Sequence, residues 1–483
     1  FIHGRFYSYH QLSIVVSSIR EVLKTKGNKE HCFALVGNDD VETYASILAL
    51  WLEWKAYIPL NPGLHLDRNE YIIQQSGVRT VLDSSTFSIY QNLQVISTTK
   101  IPCVDHNPAP GHFSENRLAY IAFTSGSTGV PKGVPITRGN FAAFIDSFNA
   151  LGIRMDENDR CLQMFDLTFD LSITSIVLSL MHGACLYTVP KEVIKYQYVI
   201  HLMEENKLTF AILIPSIVQY LRPYFAEINC PEMRYNLFCG EALQVKLVEE
   251  WSHCLPNAAI INIYGPTEHT VVCTAYEFSR DFENKSVRGI LSIGKPMKGT
   301  RVIIIDENGA EADPGETGEL CLSGPQLMAG YINKEENIDT VFIDKDENEQ
   351  KIRFYKTGDI CLIDQEGYIL FLGRKDHQVK IQGFRVELTE IEYHIRNFLP
   401  DKNSATVALS NQFGTTELGL IIESAEFEHD DLLDYLKKKL PIYMVPKQVK
   451  FVDAIPINPN GKSDRKAMIS LFDEILSMRN RTN

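Results

Sequence analysis

The chain has 483 residues, of which 45% are hydrophobic and 22% charged, and its formal net charge is −14. This length exceeds what one hydrophobic core usually serves, so we expect two or more domains. The negative charge argues against nucleic acid or an anionic membrane surface as the main partner. The longest apolar run, at residues 173–189, is interrupted by Ser, His and Gly, so we interpret it as a core element and expect no membrane span.

Cysteine and histidine spacing bears on the compartment and on metals. The ten cysteines lie scattered, with no CxxC pair and no Cys/His spacing typical of a zinc site. We therefore expect reduced, mostly buried thiols and a cytoplasmic protein. The thirteen histidines contain no HExxH pattern, so we expect no structural metal.

Helix-like and strand-like segments alternate from about residue 8 to residue 100. Residues 9–23 and 42–54 have the apolar spacing of helices, residues 31–36 are a short apolar run, and residues 56–60 are extended and stopped by prolines. Strands and a helix resume at residues 209–214, 217–227 (the helix), 235–238 and 259–263. Alternation of this kind is typical of βαβ units with a parallel sheet.

Residues 120–132 read YIAFTSGSTGVPK. The apolar start predicts a buried strand, which breaks into a loop of Ser, Thr and Gly. Glycines let the backbone approach a ligand closely because no Cβ stands in the way. Hydroxyls and free N–H groups are donors for phosphate oxygens, and Lys132 adds positive charge. The loop departs from the P-loop pattern, because no Ser or Thr follows Lys132, and a plain flexible Gly/Ser loop is the alternative interpretation.

After about residue 290 the pattern changes to shorter strands and tight turns. Residues 301–305 and 318–322 are typical of strands, and residues 364–370 predict a hairpin turn that enters a strand. The end of the chain suits a compact α+β segment, with helices at 388–396 and 431–440 and strands at 405–409 and 418–422. We place the domain boundary in the polar stretch 373–376, which predicts an N-terminal domain of residues 1–373 and a C-terminal domain of residues 374–483.

Six stretches, taken in chain order, resemble the core motifs of the adenylate-forming superfamily. The resemblance is closest to amino-acid adenylation domains of nonribosomal peptide synthetases and their stand-alone relatives. The stretches are residues 120–132, 238–243 (FCGEAL), 262–268 (NIYGPTE), 355–359 (YKTGD), 373–387 (GRKDHQVKIQGFRVE) and 458–465 (NPNGKSDR). The resemblance implies an α/β fold, in which a large N-terminal α/β domain (parallel sheets flanked by helices plus a small β-barrel-like part) precedes a small mobile C-terminal α+β domain.

The resemblance also implies a nucleotide site, with ATP and Mg²⁺ as cofactors. The glycine-rich loop would bind the phosphates, Tyr264 would stack on adenine, and Asp359 would hold the ribose. These residue types suit the task, because an aromatic ring offers a flat face to a purine and one carboxylate accepts from two vicinal hydroxyls. The implied nucleotide-binding residues are Thr124, Ser125, Gly126, Ser127, Thr128, Gly129, Lys132, Gly240, Glu241, Ala242, Tyr264, Gly265, Thr267, Asp359, Arg374 and Lys462.

Three of the implied site residues are catalytic: Lys462, Glu268 and Thr128. Acyl-adenylate formation needs a cation that meets both the attacking carboxylate and the α-phosphate, and Lys462 matches the family's lysine for this role. Glu268 matches the carboxylate that engages Mg²⁺. Asp376 matches the hinge about which the C-terminal domain rotates between two half-reactions, although a charged interdomain linker is the simpler interpretation of that stretch.

The amino-acid pocket depends on the register of residues 165–172, where the unit Phe-Asp-Leu occurs twice. The resemblance favours Asp170 as the carboxylate that pairs with the substrate's α-ammonium group, and leaves Asp166 a structural or capping residue. The remaining implied pocket residues are Leu171, Thr174, Ile212, Leu237, Cys239, Ile263, Val271 and Val272. This apolar lining disfavours charged substrates, because burying an unpaired charge is costly. Alternatively, all eight are ordinary core residues.

The implied function is that of an amino-acid adenylating ligase. A small or medium apolar amino acid would react with Mg·ATP to give an aminoacyl-AMP and pyrophosphate, and the acyl group would then pass to the phosphopantetheine thiol of a carrier protein. Because no Ser-bearing carrier segment follows Lys462, we expect that carrier in trans unless it has been cut away. A D-alanine–D-alanyl carrier protein ligase is the nearest alternative, on the resemblance at residues 238–241, and stand-alone proline-activating enzymes are similar at residues 165–172.

Two further alternatives differ in chemistry or in class. An acyl- or aryl-CoA ligase would have no use for Asp170. A catalytically silent binding or scaffold protein would keep the fold without nucleotide binding. The intact motifs of this chain argue against that alternative.

Overall fold

A computed structural model describes residues 1–26, 30–64, 66–104, 109, 114–126, 130–332, 341–347, 349–376, 378–456 and 464–479. The chain forms two compact units. Unit 1 comprises Phe1–Pro62, Ile72–Phe123 and Gly133–Lys375, and unit 2 comprises Gly63–Tyr71, Thr124–Lys132 and Asp376–Asn483. Unit 2 thus includes two short segments from the first third of the chain. The division into domains 1–373 and 374–483 stays a prediction.

The elements are numbered in chain order within the described residues. The helices are α1 (Tyr9–Lys26), α2 (Val41–Leu52), α3 (Leu66–Ser76), α4 (Arg138–Asn149), α5 (Leu171–Met181), α6 (Lys195–Glu205), α7 (Pro215–Leu221), α8 (Val245–Cys254), α9 (Leu388–Phe398), α10 (Asp430–Lys439) and α11 (Arg465–Arg479). The strands of the first two sheets are β1 (Cys32–Val36), β2 (Ala56–Leu60), β3 (Thr80–Asp83), β4 (Gln94–Ser97), β5 (Leu118–Thr124), β6 (Lys132–Thr137), β7 (Arg160–Gln163), β8 (Cys185–Thr188), β9 (Phe210–Leu213), β10 (Tyr235–Phe238), β11 (Ala259–Tyr264), β12 (Thr274–Glu277) and β15 (Lys295–Pro296). The other strands are β13 (Ser286–Val287), β14 (Ile290–Leu291), β16 (Arg301–Ile305), β17 (Gly318–Ser323), β18 (Phe342–Glu347), β19 (Gln350–Ile363), β20 (Ile369–Arg374), β21 (Gln378–Ile381), β22 (Phe384–Glu387), β23 (Ser404–Ser410), β24 (Thr416–Glu423) and β25 (Gln448–Val452).

The first sheet of unit 1 has the strand order β4-β3-β1-β2-β5-β6. Its pairs β4–β3, β3–β1, β1–β2 and β2–β5 are parallel, as the alternation of helices and strands predicts. Every residue of β2 is buried, which is typical of a strand covered on both faces. Helix α2 begins where the Asp40 side chain accepts a hydrogen bond of 2.8 Å from the backbone N–H of Thr43.

The second sheet of unit 1 has the order β15-β12-β11-β10-β9-β7-β8. Strands β8, β7, β9, β10 and β11 are parallel, whereas β12 and β15 are antiparallel to their neighbours. Its core includes Trp251, which is fully buried and donates its indole N–H to Asn236 Oδ1 at 2.8 Å. Because β9, β10 and β11 are parallel and adjacent, the loops that follow them meet at one edge of the sheet.

An antiparallel sheet completes unit 1, with the order β16-β17-β19-β18 and β20 paired to β19. The hairpin predicted at residues 364–370 is present: the Gly367 N–H donates to the Asp364 carbonyl at 3.0 Å, where the chain turns from β19 into β20. A glycine suits this position because its φ is +83°. The sheet brings residue 359 opposite residue 374, and the site depends on this pairing.

The helix predicted at residues 217–227 is wrong in its extent. The α-helix α7 begins at Pro215 and ends at Leu221, and a 3₁₀ turn, Arg222–Tyr224, follows it. Pro223 explains the early end, because proline has no N–H to donate to the preceding turn and its ring clashes with that turn. The prediction relied on the apolar spacing of the segment and did not take this proline into account.

Unit 2 has a three-stranded sheet, β23-β24-β25, and the two-stranded hairpin β21–β22. Helices α9 and α10 bury Ile391, Ile395, Leu432 and Leu436 in a common apolar cluster. The segment Gly63–Tyr71 joins this unit through an ion pair of 2.7 Å between Arg68 and the fully buried carboxylate of Glu390. Among the described helices of the whole chain, none is both long and apolar enough to cross a membrane.

Candidate nucleotide and amino-acid site

Tyr264, Asp359 and Arg374 come together in unit 1, although they are far apart in sequence. The Tyr264 hydroxyl donates to Asp359 Oδ2 at 2.5 Å, and Arg374 Nη1 donates to Asp359 Oδ1 at 2.8 Å. Burial and then the negative charge of Asp359 raise the pKa of Tyr264 far above its usual value, so the phenol keeps its proton and donates it. An ionised carboxylate has about four lone-pair sites, so Asp359 keeps acceptor capacity for ribose hydroxyls.

A glycine turn inside β19 sets the direction of the Asp359 side chain. Gly358 has φ +76° and its N–H donates to Glu319 Oε1 at 3.1 Å, while the Asp359 N–H donates to the Thr357 hydroxyl at 3.0 Å. The pairing of β17 with β19 shifts its register beside this turn, which is the geometry of a β-bulge. Arg374 also donates to the Thr357 carbonyl at 2.8 Å, so the same arginine holds both the carboxylate and the turn.

Glu268 lies in a short 3₁₀ helix, Thr267–His269, just beyond the end of β11. Its side chain is buried, and the Tyr331 hydroxyl donates to Glu268 Oε1 at 2.7 Å. Thr267 is half-buried beside it. The sequence analysis did not predict a role for Tyr331. The only feature that marks this residue in the sequence is its position directly after Met-Ala-Gly.

The carboxylate of Glu268 is a suitable ligand type for a magnesium ion. Mg²⁺ takes oxygen ligands, keeps several waters, and is commonly bound by one or two carboxylates together with substrate phosphates. Within the described ranges no group of three or more His, Cys, Asp or Glu residues could hold a metal by itself. A carboxylate at this position would share Mg²⁺ with the phosphate oxygens of a nucleotide, and this role of Glu268 stays a prediction.

Part of the glycine-rich loop is described, and it belongs to unit 2. A Cβ on Gly126 would lie 1.9 Å from the Val130 carbonyl oxygen, so only glycine allows this close approach of the loop's two limbs. The Ser125 hydroxyl donates to the Arg385 carbonyl at 2.6 Å within the same unit. Lys132 is half-buried at the far side of the loop, and Thr124 ends β5.

Several predicted site residues lie outside the described residues. These are Ser127, Thr128 and Gly129 of the loop, and Lys462 near the C-terminus. Their roles stay predictions. Asp376, the predicted hinge, is described as the first residue of the last segment of unit 2, and its side chain accepts a hydrogen bond of 3.1 Å from the Gln378 N–H.

The loop after β10 holds Gly240, Glu241 and Ala242. Gly240 has φ +90°, which favours glycine, and Ala242 is exposed. The Glu241 carboxylate accepts hydrogen bonds from the backbone N–H of Ser216 at 2.8 Å and from its hydroxyl at 3.1 Å, and so caps the start of α7. The side chain of Glu241 thus fixes this loop against the loop after β9, and the nucleotide-binding role of residues 240–242 stays a prediction.

The two aspartates of the repeated Phe-Asp-Leu unit have different surroundings. Asp166 accepts from the Thr168 N–H at 2.9 Å, from the Thr168 hydroxyl at 2.6 Å and from the Asn61 side chain at 2.9 Å, so it organises a turn. Asp170 is buried and lies immediately before α5, and its side chain makes no capping hydrogen bond to the N–H groups of that helix. The positive end of the helix dipole stabilises a carboxylate there. The assignment of Asp170, rather than Asp166, to the ammonium group of a substrate stays a prediction.

Two tyrosines lie near Asp170. Tyr57 of β2 and Tyr120 of β5 are cross-strand partners, and both are fully buried. Burial, followed by the charge of Asp170, raises the pKa of each phenol well above its usual value. The sequence predicted strands at both positions but gave no signal that their side chains lie near Asp170.

The other predicted pocket residues are all buried. Ile212 and Leu237 are register partners on adjacent strands, and Cys239 and Ile263 fall on the same face by the two-residue period of a strand. Leu171, Val271 and Val272 belong to the same apolar cluster, and Thr174 is fully buried in α5. Both the pocket hypothesis and the core alternative are consistent with this burial, so the pocket assignment stays a prediction.

Comparison with known proteins establishes the family. The model of the AMP-binding enzyme family matches residues 1–332, which is more than half of the chain. The chain belongs to the AMP-binding enzyme family. Bacitracin synthase 1 of Bacillus licheniformis is 30% identical over 469 residues, which cover 95% of this chain and 9% of the synthase. Tyrocidine synthase 1 of Brevibacillus parabrevis is 31% identical over 482 residues, which cover 96% of this chain and 43% of the synthase. The chain thus spans less than half the length of these relatives.

Solved structures of AMP-binding enzymes share the fold. The adenylation domain AlmE of Vibrio cholerae, in complex with glycyl-adenosine-5′-phosphate, is similar with a TM-score of 0.87 and 27% identity, over 98% of this chain and 94% of AlmE. PA1221, an NRPS protein containing adenylation and PCP domains, is similar with a TM-score of 0.83 and 26% identity, over 95% of this chain and 79% of that protein. These comparisons confirm the resemblance to adenylation domains and the predicted α/β fold class.

Proposed function

We propose that this chain is an amino-acid adenylating ligase that uses Mg·ATP. The observation that carries the proposal is Asp170, a buried carboxylate at the start of α5 beside an apolar lining. A carboxylate makes strong, charge-assisted hydrogen bonds to an ammonium group, so the α-ammonium group of an amino acid is a matching ligand for Asp170. The likeness to AlmE, which was solved with a glycyl adenylate, supports the same substrate class.

In the proposed first half-reaction, a carboxylate oxygen of the amino acid attacks the α-phosphorus of ATP. A new P–O bond forms, the bond to the bridging oxygen breaks, and pyrophosphate leaves with that electron pair. Asp170 would hold the ammonium group, Asp359 together with Arg374 would hold the ribose, and Tyr264 would stack on adenine. Charge on the phosphates would be met by Lys132 and Lys462 and by the hydroxyls of the glycine-rich loop, including Thr128. Mg²⁺, when bound at Glu268, would neutralise phosphate charge.

In the proposed second half-reaction, the thiol of a phosphopantetheine arm attacks the acyl carbonyl, a thioester forms and AMP leaves. The carrier protein would act in trans, and the C-terminal domain, residues 374–483, would rotate about Asp376 between the two steps. PA1221, which contains adenylation and PCP domains, supports a carrier protein as the partner. Ten free cysteines support a reducing compartment such as the cytoplasm.

The apolar lining supports a small or medium apolar amino acid as the substrate, because no second charge lies among the predicted pocket residues. D-alanine is the alternative that the resemblance at residues 238–241 favours, and AlmE adds glycine to the candidates. Simple carboxylic acids, the substrates of an acyl- or aryl-CoA ligase, carry no ammonium group with which Asp170 could pair.

The test is ATP–pyrophosphate exchange over a panel of both enantiomers of the amino acids, glycine and simple carboxylic acids. We expect one apolar amino acid to drive exchange, and Lys462→Ala to abolish it. Asp170→Asn should abolish amino-acid-dependent exchange, whereas Asp166→Asn should retain it, because an asparagine oxygen still accepts the two bonds from Thr168. Exchange on carboxylic acids alone, or an active Asp170→Asn, would contradict the proposal, and absence of nucleotide binding by calorimetry would favour a silent scaffold.

A further inference from the structure

We propose that Gln326 is a positioning residue for the amino-acid pocket. It holds the turn at residues 269–272, which carries the pocket residues Val271 and Val272, in a conformation that the turn does not favour by itself. This inference rests on the proposed function, because that function is what makes Val271 and Val272 pocket residues. Gln326 is almost fully buried and lies in the loop between β17 and β18.

The turn is strained. Thr270 has φ +49° and Val271 has φ +71°, two consecutive β-branched residues in the left-handed region. Such residues are genuine outliers there, because the branched side chain clashes with the following backbone. The Val272 N–H donates to the Thr270 carbonyl at 3.0 Å, which makes residues 270–272 a γ-turn with positive φ, a rare and strained type. Strain of this kind persists only where the surroundings over-determine the conformation.

Gln326 supplies that constraint. Its amide nitrogen Nε2 lies 2.9 Å from the Val272 carbonyl oxygen and 3.3 Å from those of His269 and Thr270. In the opposite direction, the Thr270 hydroxyl donates to the backbone carbonyl of Gln326 at 2.5 Å. One side chain thus meets three carbonyls of the strained turn, and only a donor group suits that task, because carbonyl oxygens accept and do not donate.

The turn also packs closely on the nucleotide motif. A Cβ on Gly265 would lie 2.5 Å from Val272 Cα and 2.6 Å from the Val271 carbonyl oxygen. This close contact limits movement of the turn on the side of the nucleotide motif. Val271 and Val272 lie within the main apolar cluster, so their side chains would move with the backbone.

The segment from Ser323 to Tyr331 holds residues 268–272 in two separable places. Gln326 binds the turn, while the Met328 N–H donates to the Glu268 carbonyl at 2.9 Å and the Tyr331 hydroxyl donates to the Glu268 carboxylate at 2.7 Å. Loss of Gln326 should therefore affect the amino acid, and loss of the Tyr331 hydroxyl should affect Mg·ATP. A residue with a merely structural role would not produce this split.

The test compares Gln326→Met, which keeps the length and removes the donors, with Tyr331→Phe. In ATP–pyrophosphate exchange we expect Gln326→Met to raise KM for the preferred amino acid about tenfold and to leave KM for ATP within about twofold. An apolar pocket discriminates about 10- to 200-fold between an amino acid and its homologue with one more methylene. In Gln326→Met we expect this discrimination to fall by about tenfold. Tyr331→Phe should show the reverse pattern, with the larger change in the Mg²⁺ and ATP dependence.

Asn38→Leu is the matched control. The Asn38 amide nitrogen also meets three acceptors, on Asp83, Ser84 and Ser85 at 2.7–3.2 Å, but these lie at the first sheet. It should lower the melting temperature without changing amino-acid selectivity. Thr270→Val, which removes the hydroxyl bond and keeps the shape, should raise the amino-acid KM in the same direction as Gln326→Met, and it carries the test if Gln326→Met does not fold.

Two outcomes separate the inference from the proposed function. If the native chain shows no amino-acid-dependent exchange, the proposed function fails. If the native chain is active and Gln326→Met and Thr270→Val keep native selectivity and native KM for the amino acid, the positioning role of Gln326 is overturned while the proposed function stands.

Discussion

Asp359→Asn offers the sharpest separation of stability from nucleotide binding. The change keeps the shape of the side chain and removes its charge. A hydrogen bond to a charged group contributes about 1.5–3 kcal/mol and a neutral one about 0.5–1.5 kcal/mol, so each bond weakens by about 1 kcal/mol. Asp359 accepts two such bonds, from Tyr264 at 2.5 Å and from Arg374 at 2.8 Å. The amide also has only one acceptor oxygen where the carboxylate uses two, so we expect the free energy of unfolding to fall by at least about 2 kcal/mol.

The same arithmetic applies to ATP. Two ribose hydroxyls that meet an amide instead of a carboxylate lose at least about 2 kcal/mol together, because the amide is neutral and has one acceptor oxygen. Since about 1.4 kcal/mol corresponds to a factor of ten, the KM for ATP should rise about 30-fold. The assay is pyrophosphate exchange with varied ATP, repeated with 3′-deoxy-ATP. The native enzyme should lose affinity for the deoxy nucleotide, and Asp359→Asn should lose little more, because the interaction is already weakened.

Asp159→Asn is the matched control, because Asp159 is also a buried carboxylate of unit 1 that accepts from an arginine and from a hydroxyl. Asp159 accepts from Arg234 at 2.8 Å and from the Thr209 hydroxyl at 2.6 Å. Both variants should lose comparable stability, but only Asp359→Asn should change KM for ATP. An ATP KM within twofold of native in Asp359→Asn, or an equal rise in Asp159→Asn, would refute the assignment of Asp359 to the ribose.

Three further predictions concern other parts of the site. Gly265→Ala should abolish exchange and lower the melting temperature, because its Cβ would meet Val272 Cα at 2.5 Å, and native-like kinetics would contradict this close approach. Glu268→Gln should raise the Mg²⁺ concentration for half-maximal exchange about tenfold by weakening a charged ligand, and an unchanged Mg²⁺ titration would argue against a metal role. Burial lowers the pKa of His269 from 6.5 to about 4. Between pH 6.5 and pH 4, His269 is therefore protonated in the unfolded state and neutral in the folded state. This should remove about 3 kcal/mol of folding stability from pH 6.5 to pH 4, and urea unfolding of His269→Gln should show a correspondingly smaller pH dependence.

Local structure was largely predictable from the sequence. The apolar runs at residues 56–60 and 301–305 are strands β2 and β16, and the helix predicted at residues 388–396 is α9. The hairpin at residues 364–370 followed from Asp, Gly and polar neighbours between apolar segments. These signals are carried by residues adjacent in the chain, since side-chain periodicity and turn chemistry act over a few positions. The family was also predictable, because its motifs are contiguous stretches.

What the sequence by itself determined, then, was the kind of each segment, the order of the motifs and the class of chemistry. Only the tertiary structure showed that Tyr264 donates to Asp359, 95 positions away, and that Asp166 is used in a turn while Asp170 lies immediately before a helix. Likewise, nothing near Gln326 in the chain indicates the three carbonyls it meets more than fifty positions earlier. The reason is physical: a polar side chain can find its partner anywhere that folding brings within about 3 Å, and hydrogen bonding across such separations leaves no periodic trace in the sequence.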